Sequence, residues 1–340
     1  RLIGSLILLS ICSAKAQKPM GIKVTKPTVC YAHTEDNPCY IPPPEEYMKW
    51  ANGARTKTST IEVTYNPGFT PEAIAVFDYA IGIWESLLSS SVPIKIDAYW
   101  SSLGPGVLGG ALYTSAYANF TGAQKLNVFY PVAMAEKITG RNLNGNNPDI
   151  FVQFSSSANW HYNTGTPPPP GQYDLATVVL HEIGHGLGFA GTFTVNGSTG
   201  EVGLQSTGVP IIYDVPVENA TGTNLIQTVS SPSPDLRVQL ISDNLFFNSA
   251  TSNKPKLYAP VNFSGGSSIS HLDEITFNNT ASALMTPQIG PQERIHDPGI
   301  AWNMLKDMGW EVARIVHTPL RDNENLNGPY TVITTDRKST

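Results

Sequence analysis

Apolar residues recur along this chain at two periods, and the changes of period mark out its elements. Ile61-Glu62-Val63-Thr64-Tyr65 alternates and stops at Asn66-Pro67-Gly68, which predicts a strand ended by a turn. Thr70-Pro71-Glu72 then opens a helix with Pro71 at its first position, and Ile74, Phe77, Ile81, Trp84 and Leu88 follow at helical spacing. Residues 93–100 return as a strand, and 125–130 and 149–154 predict two more. No helix crosses the proline-rich loop 167–171, but Asp174 beyond it is placed to cap one running to Leu187. On that helix Ala176, Leu180, Ile183 and Leu187 form one apolar stripe, leaving the opposite face for chemistry. Gly186 and Gly188 end it, Gly188 by a positive φ. Beyond Gly191 the pattern predicts only short strands and loops, until Asp297-Pro298 starts a helix with Ala301, Met304, Leu305 and Met308 at core spacing and Gly309 as its stop. The order of elements predicts an α+β fold in which two helices lie on a twisted sheet, followed by an irregular subdomain.

The two ends and the composition add limits. An apolar run from Leu2 to Leu9 behind Arg1, with Ala14-Lys15-Ala16 as a small-x-small site, predicts a secretory signal peptide over 1–16. The chain starts without Met, so the beginning of the gene product is expected to be missing. No second long apolar segment follows, so the mature protein is expected to be secreted, free of stable membrane insertion and monomeric. A net charge of −6 argues against nucleic acid or an anionic membrane as partner. Residues 17–57, with Pro42-Pro43-Pro44, read as an extended N-terminal or pro-segment. An N-terminal subdomain is expected over 58–190 and a C-terminal one over 191–312, with 313–340 opening a truncated β-domain or serving as a linker. After signal removal Cys30 and Cys39 remain, close enough in sequence to predict a disulfide; the alternative is that Cys30 caps a metal as a thiolate.

The chemistry is concentrated at His181-Glu182-Ile183-Gly184-His185. Two histidines four apart share one face of a helix, so both imidazoles reach a single metal ion, and Glu182 stands where it can serve as general base. The bland alternative, a solvated helix with scattered His and Glu, does not suit the apolar stripe or the glycine stops. Catalytic zinc takes three protein ligands. In the extended motif H-E-x-x-H-x-x-G-x-x-H the third falls at 191, and Gly191 stands there. His33, His161 and His317 lie in less suitable surroundings, and Glu201 would suit a carboxylate-ligand architecture. His271 and His296 are the two candidates.

The combination of His181-Glu182-x-x-His185-x-x-Gly188-Phe189, a distant His and Leu284-Met285-Thr286-Pro287 resembles the leishmanolysin branch of the metzincin metallopeptidases. That resemblance covers about 170–310. It implies a metzincin-like fold, Zn²⁺ held by His181, His185 and a delayed third ligand at His271, and Met285 in the turn beneath the ligands, with His296 as the alternative ligand. Residues 304–310 resemble that family's C-terminal helix and its glycine stop. The implied activity is a secreted zinc endopeptidase acting on protein or peptide substrates, with Glu182 as general base. Strand 149–155 is then expected to border the cleft, where an exposed edge takes substrate backbone as an added strand; plain sheet structure is the alternative. Two rival functions remain at this point. One is a non-enzymatic surface or adhesion module with a vestigial metal site, supported by Gly191; the other is a zinc amidase acting on cell-wall peptides.

Overall fold

Ile94–Ser101 turns Ile94, Ile96 and Ala98 to one side, and all three are buried in the computed structural model, which describes residues 19–311. Ile150–Ser155 does the same with Ile150, Val152 and Phe154. These strands are the middle of a six-stranded sheet. In chain order it comprises β1 (Thr28–Ala32), β2 (Ile61–Tyr65), β3 (Ile94–Ser101), β4 (Val107–Tyr113), β5 (Ile150–Ser155) and β6 (Gln288–Ile289). Their spatial order is β6-β1-β4-β5-β3-β2. Strands β2, β3 and β5 run parallel, β4 runs against β5, and β1 runs against β4 with β6 parallel to it.

Two helices cover one face of this sheet. Helix α1 (Pro71–Leu87) makes the crossover between the parallel strands β2 and β3, and Thr70 caps it by accepting from the Ala73 amide at 3.2 Å. Helix α2 (Leu175–Gly186) is capped by Asp174, whose carboxylate accepts from the Thr177 amide at 2.8 Å and hydroxyl at 2.7 Å. Phe77 of α1 meets Phe154 edge-on. Gly186 of α2 lies so close to the sheet that a Cβ there would stand 2.3 Å from Ile150. The helices meet each other where the Trp84 indole donates to the Leu180 carbonyl at 3.2 Å. The architecture is therefore mixed, helices on a sheet, and residues 191–311 add short elements around it. Among them are a hairpin (Thr194–Asn196 with Thr199–Glu201) and a three-stranded sheet of Val217–Asn219, Leu245–Phe247 and Lys256–Leu257. No helix among the described residues is long and apolar enough to cross a membrane.

Several expectations change here. The N-terminal segment is woven into the fold: Met20–Lys23 pairs with Ser115–Ala118, β1 lies between β4 and β6, and Cys39–Ile41 pairs with Glu293–Ile295. The predicted disulfide is not formed; Cys30 and Cys39 are both free thiols. Each cysteine sits on a strand that belongs to a different sheet, Cys30 opposite Gly109 and Cys39 opposite Glu293, so each is held by its own partner. Strand β5 is interior rather than a cleft edge, because β4 and β1 lie beyond it. Of 125–130 only Tyr130–Pro131 is strand, although Val128 and Phe129 are buried as their apolar character demands. The signal peptide expected over 1–16, the segment 313–340 and His317 lie outside the described residues.

Candidate metal centre

Helix α2 brings His181 and His185 to one side, one turn apart, as the spacing predicts. His271 arrives from the far end of the long insertion, and the chain shows how. The Gly191 amide donates to Ser270 Oγ at 3.0 Å, so the insertion leaves and returns at one place. His271 therefore enters beside position 191, where the compact motif carries its third histidine. The three Nε2 atoms stand 3.0, 3.1 and 3.3 Å from one another. Tetrahedral ligands at about 2.0–2.1 Å from zinc are about 3.3–3.4 Å apart, so the triangle has the size of a metal site.

The other ring nitrogens are already committed. His181 Nδ1 donates to the Leu284 carbonyl at 2.7 Å, His185 Nδ1 to Phe189 at 2.6 Å and His271 Nδ1 to Ser267 at 2.8 Å. Carbonyl oxygens only accept, so each neutral ring carries its proton on Nδ1 and turns an Nε2 lone pair inward. Three converging lone pairs repel one another unless a cation sits between them. Burial lowers all three histidines, His181 to about 4, His271 to about 3 and His185 well below its usual range, so the rings are neutral at pH 7, the form that can bind a metal.

Glu182 completes the constellation. Neither of its carboxylate oxygens has a hydrogen-bond partner, and burial pushes its carboxyl well up. A buried carboxylate of this kind is stabilised by a neighbouring cation, so the donor set fits a divalent metal. Its path crosses β4 at Gly109, where a Cβ would stand 2.8 Å from Glu182 Oε1 and 3.1 Å from its Cγ. Beneath the site Met285 is buried, and a Cβ on Gly184 would stand 3.0 Å from its sulfur. Met285 thus packs on the helix between the two histidines, while its neighbour Leu284 holds His181.

His296 is not brought to this cluster. Its Nε2 donates to Asp174 Oδ2 at 2.8 Å and its Nδ1 accepts from the Tyr79 hydroxyl at 2.8 Å, all within the packing at the start of α2. His33 sits in an exposed turn with Glu35, and His161 contacts Thr166. Cys30, in contrast, does reach the site. Its sulfur, a ring nitrogen of His181 and a carboxylate oxygen of Glu182 lie within 4.8 Å of one another. Burial, with Glu182 next in effect, pushes the Cys30 thiol well up. Sequence reasoning also missed Gly109 and the three carbonyl partners; the Gly109-Gly110 pair inside an apolar run was the available signal for a close approach.

Beside His185 opens a cavity of about 510 Å³, walled by Leu112, Tyr113, Phe193, Leu204 and Ser268 and by the N-terminal residues 24 and 26–28. His181, Glu182, His185 and His271 themselves have no solvent exposure.

Over residues 67–212 the chain is similar to a family described as SPBPB7E8-like. That span contains α1, β3, β4, β5 and α2, with His181, Glu182 and His185, and ends before His271 and Met285. Comparisons with curated proteins and with solved structures gave no match.

Proposed function

We propose that this chain is a secreted zinc-dependent endopeptidase of metzincin type, resembling the leishmanolysin branch. The observation that carries the reading is the convergence of three Nε2 lone pairs whose rings are each locked by an Nδ1–H bond to a backbone carbonyl. His181, His185 and His271 would hold Zn²⁺, which when bound supplies Lewis acidity for hydrolysis. Glu182 takes a proton from the attacking water and delivers it to the departing amine. The low-dielectric surroundings keep the three rings neutral and raise the basicity of Glu182. The cavity beside His185 supplies room for a substrate side chain next to the reacting bond.

Glu182→Gln is expected to retain one equivalent of zinc and the fold while peptide hydrolysis is abolished. Turnover by that variant comparable with wild type would overturn the assignment. His271→Ala is expected to lose stoichiometric zinc, whereas His296→Ala retains it; metal analysis of the purified proteins reads both.

A second reading draws on the absence of solvent exposure at all four site residues. A metal buried in this way also suits a non-enzymatic module whose ion only stabilises the fold. Digestion of a broad peptide library by the zinc-loaded chain separates the two, since only the enzyme yields cleavage products that Glu182→Gln does not.

A further inference from the structure

We infer that Arg294 is the centre of a second ligand site, one that takes a small monovalent anion of the size of chloride. The site shares no residue with the three-histidine cluster, and it stands whether or not that cluster holds a metal.

Lysines and arginines are almost never fully buried unless they are paired. Arg294, 3% exposed, is the one lysine or arginine that is buried among the described residues. It stands on the strand Glu293–Ile295, opposite Tyr40 of Cys39–Ile41. The guanidinium lies over the Tyr40 ring, 4.5 Å from its centroid, and Nη2 donates to the Thr164 carbonyl. Nε and Nη1 are buried and have no hydrogen-bond partner among the described residues. No carboxylate among those residues lies within salt-bridge distance of the guanidinium.

The two carboxylates that come near in chain or fold are already committed. Glu293 precedes Arg294 on a strand, so its side chain leaves by the other face, where Asn37 donates to it. Asp174 accepts from Thr177 and from His296, which follows Arg294 by two residues. The Thr164 carbonyl satisfies one N–H and the Tyr40 ring favours the cation, but neither carries the negative charge that balances it. Water would serve the two remaining nitrogens and leave the charge as it is. An anion serves both needs, because a guanidinium only donates and its bonds to a negative partner are the stronger kind. One guanidinium calls for one negative charge, and its burial calls for a small carrier.

Three segments distant in sequence meet here: 39–41, 293–295 and the proline-rich loop 161–171. The loop offers the Thr164 carbonyl from a turn in which the Gly165 amide bonds Asn163 Oδ1 at 2.9 Å. Its far end is held by the Gly171 amide, which donates to Asp36 Oδ1 at 2.8 Å. The residue after Arg294 donates its amide to the Thr177 hydroxyl at 2.8 Å, at the start of α2. An anion on Arg294 therefore fastens the loop and the N-terminal strand to the head of that helix.

The test uses the full chain and reads stability and the anion itself, not peptide hydrolysis. At constant ionic strength, replacing gluconate, too bulky for a buried site, by chloride is expected to raise the thermal midpoint by about 2–4 °C along a saturating curve. Arg294→Met keeps an apolar stem and drops the charge, and it is expected to lose that chloride dependence. The chloride NMR line is expected to be broader in the presence of wild type than of Arg294→Met. Bromide-soaked crystals of wild type are expected to show an anomalous peak beside Nε or Nη1; this arm needs no variant, so it decides the matter where Arg294→Met fails to fold. Equal midpoints in chloride and gluconate, an equal chloride dependence in Arg294→Met, or bromide crystals with no peak at Arg294 would each overturn the inference and leave water as the partner of the two nitrogens.

Discussion

Glu182 reaches its place because Gly109 has no side chain. A methyl group there would approach Oε1 to 2.8 Å and the Gln153 carbonyl to 3.1 Å. Of the two, the carboxylate is the end that can move, so Gly109→Ala is expected to shift the proposed general base and leave the three histidines alone. A misplacement on this scale costs about 10–100-fold in turnover. The variant should therefore keep stoichiometric zinc and a wild-type KM while kcat falls; an unchanged kcat would show that Glu182 does not act from this position. The same residue shows where pattern reading ends. Glycine has low strand propensity, so residues 107–113 do not announce themselves, yet Gly109 is what lets Glu182 of α2 lie against β4. His181, Glu182 and His185 were legible because a local spacing on one helix decides them. His271 was legible only through the company of Met285, since the closure at Gly191 and Ser270 is a long-range contact. Cys30 was placed wrongly because two cysteines near in sequence look like partners, and nothing local reveals that their strands pair elsewhere.

Helix α2 was readable from cap to stop: Asp174 caps it and Gly188 turns with φ 122°. The stripe of apolar residues left the opposite face for chemistry, and that face too is buried, as is every residue of α2. Its second face is covered by β4 and by the N-terminal strand β1, whose five residues are too few to carry a periodic signal that predicts a place in the sheet. The start of the helix is fixed by more than a cap. Asp174 accepts from Thr177 and from His296, and the Thr177 hydroxyl accepts from the Ile295 amide at 2.8 Å, which ties residues 295–296 to α2. Loss of a cap costs about 0.5–2 kcal/mol, and leaving a buried donor such as His296 unpaired adds about 1–3 kcal/mol. Asp174→Ala is thus expected to lower the melting temperature by more than a cap loss alone, and Asp174→Asn, which keeps an acceptor oxygen, by less. If His296→Ala and Asp174→Ala destabilise additively rather than through one shared loss, the pair does not act as a unit.

Across the whole molecule, burial moves two sets of groups in opposite directions, and their sum sets how stability follows pH. Burial raises Glu136, Glu274 and Glu293 from the ordinary 4.5 to about 7. A carboxylate raised in the folded state contributes stability that is complete below about 4.5 and is lost as pH rises through about 7. The three site histidines run the other way: lowered in the folded state, they support it above 6.5 and withdraw that support as pH falls towards 4 and 3. In the chelator-treated chain the two trends oppose each other between pH 4.5 and 6.5, and below 4.5 the histidines go on withdrawing support. Thermal midpoints of that zinc-free chain are therefore expected to vary little over the upper window and to collapse below it. Glu293→Gln separates the terms. Glu293 is buried beside the Asn37 side chain, with Glu274 near it, so removing its charge is expected to raise the midpoint relative to wild type above pH 7 and to make little difference at pH 4.5. A variant whose midpoint runs parallel to wild type across that interval would show that Glu293 is already ionised at low cost.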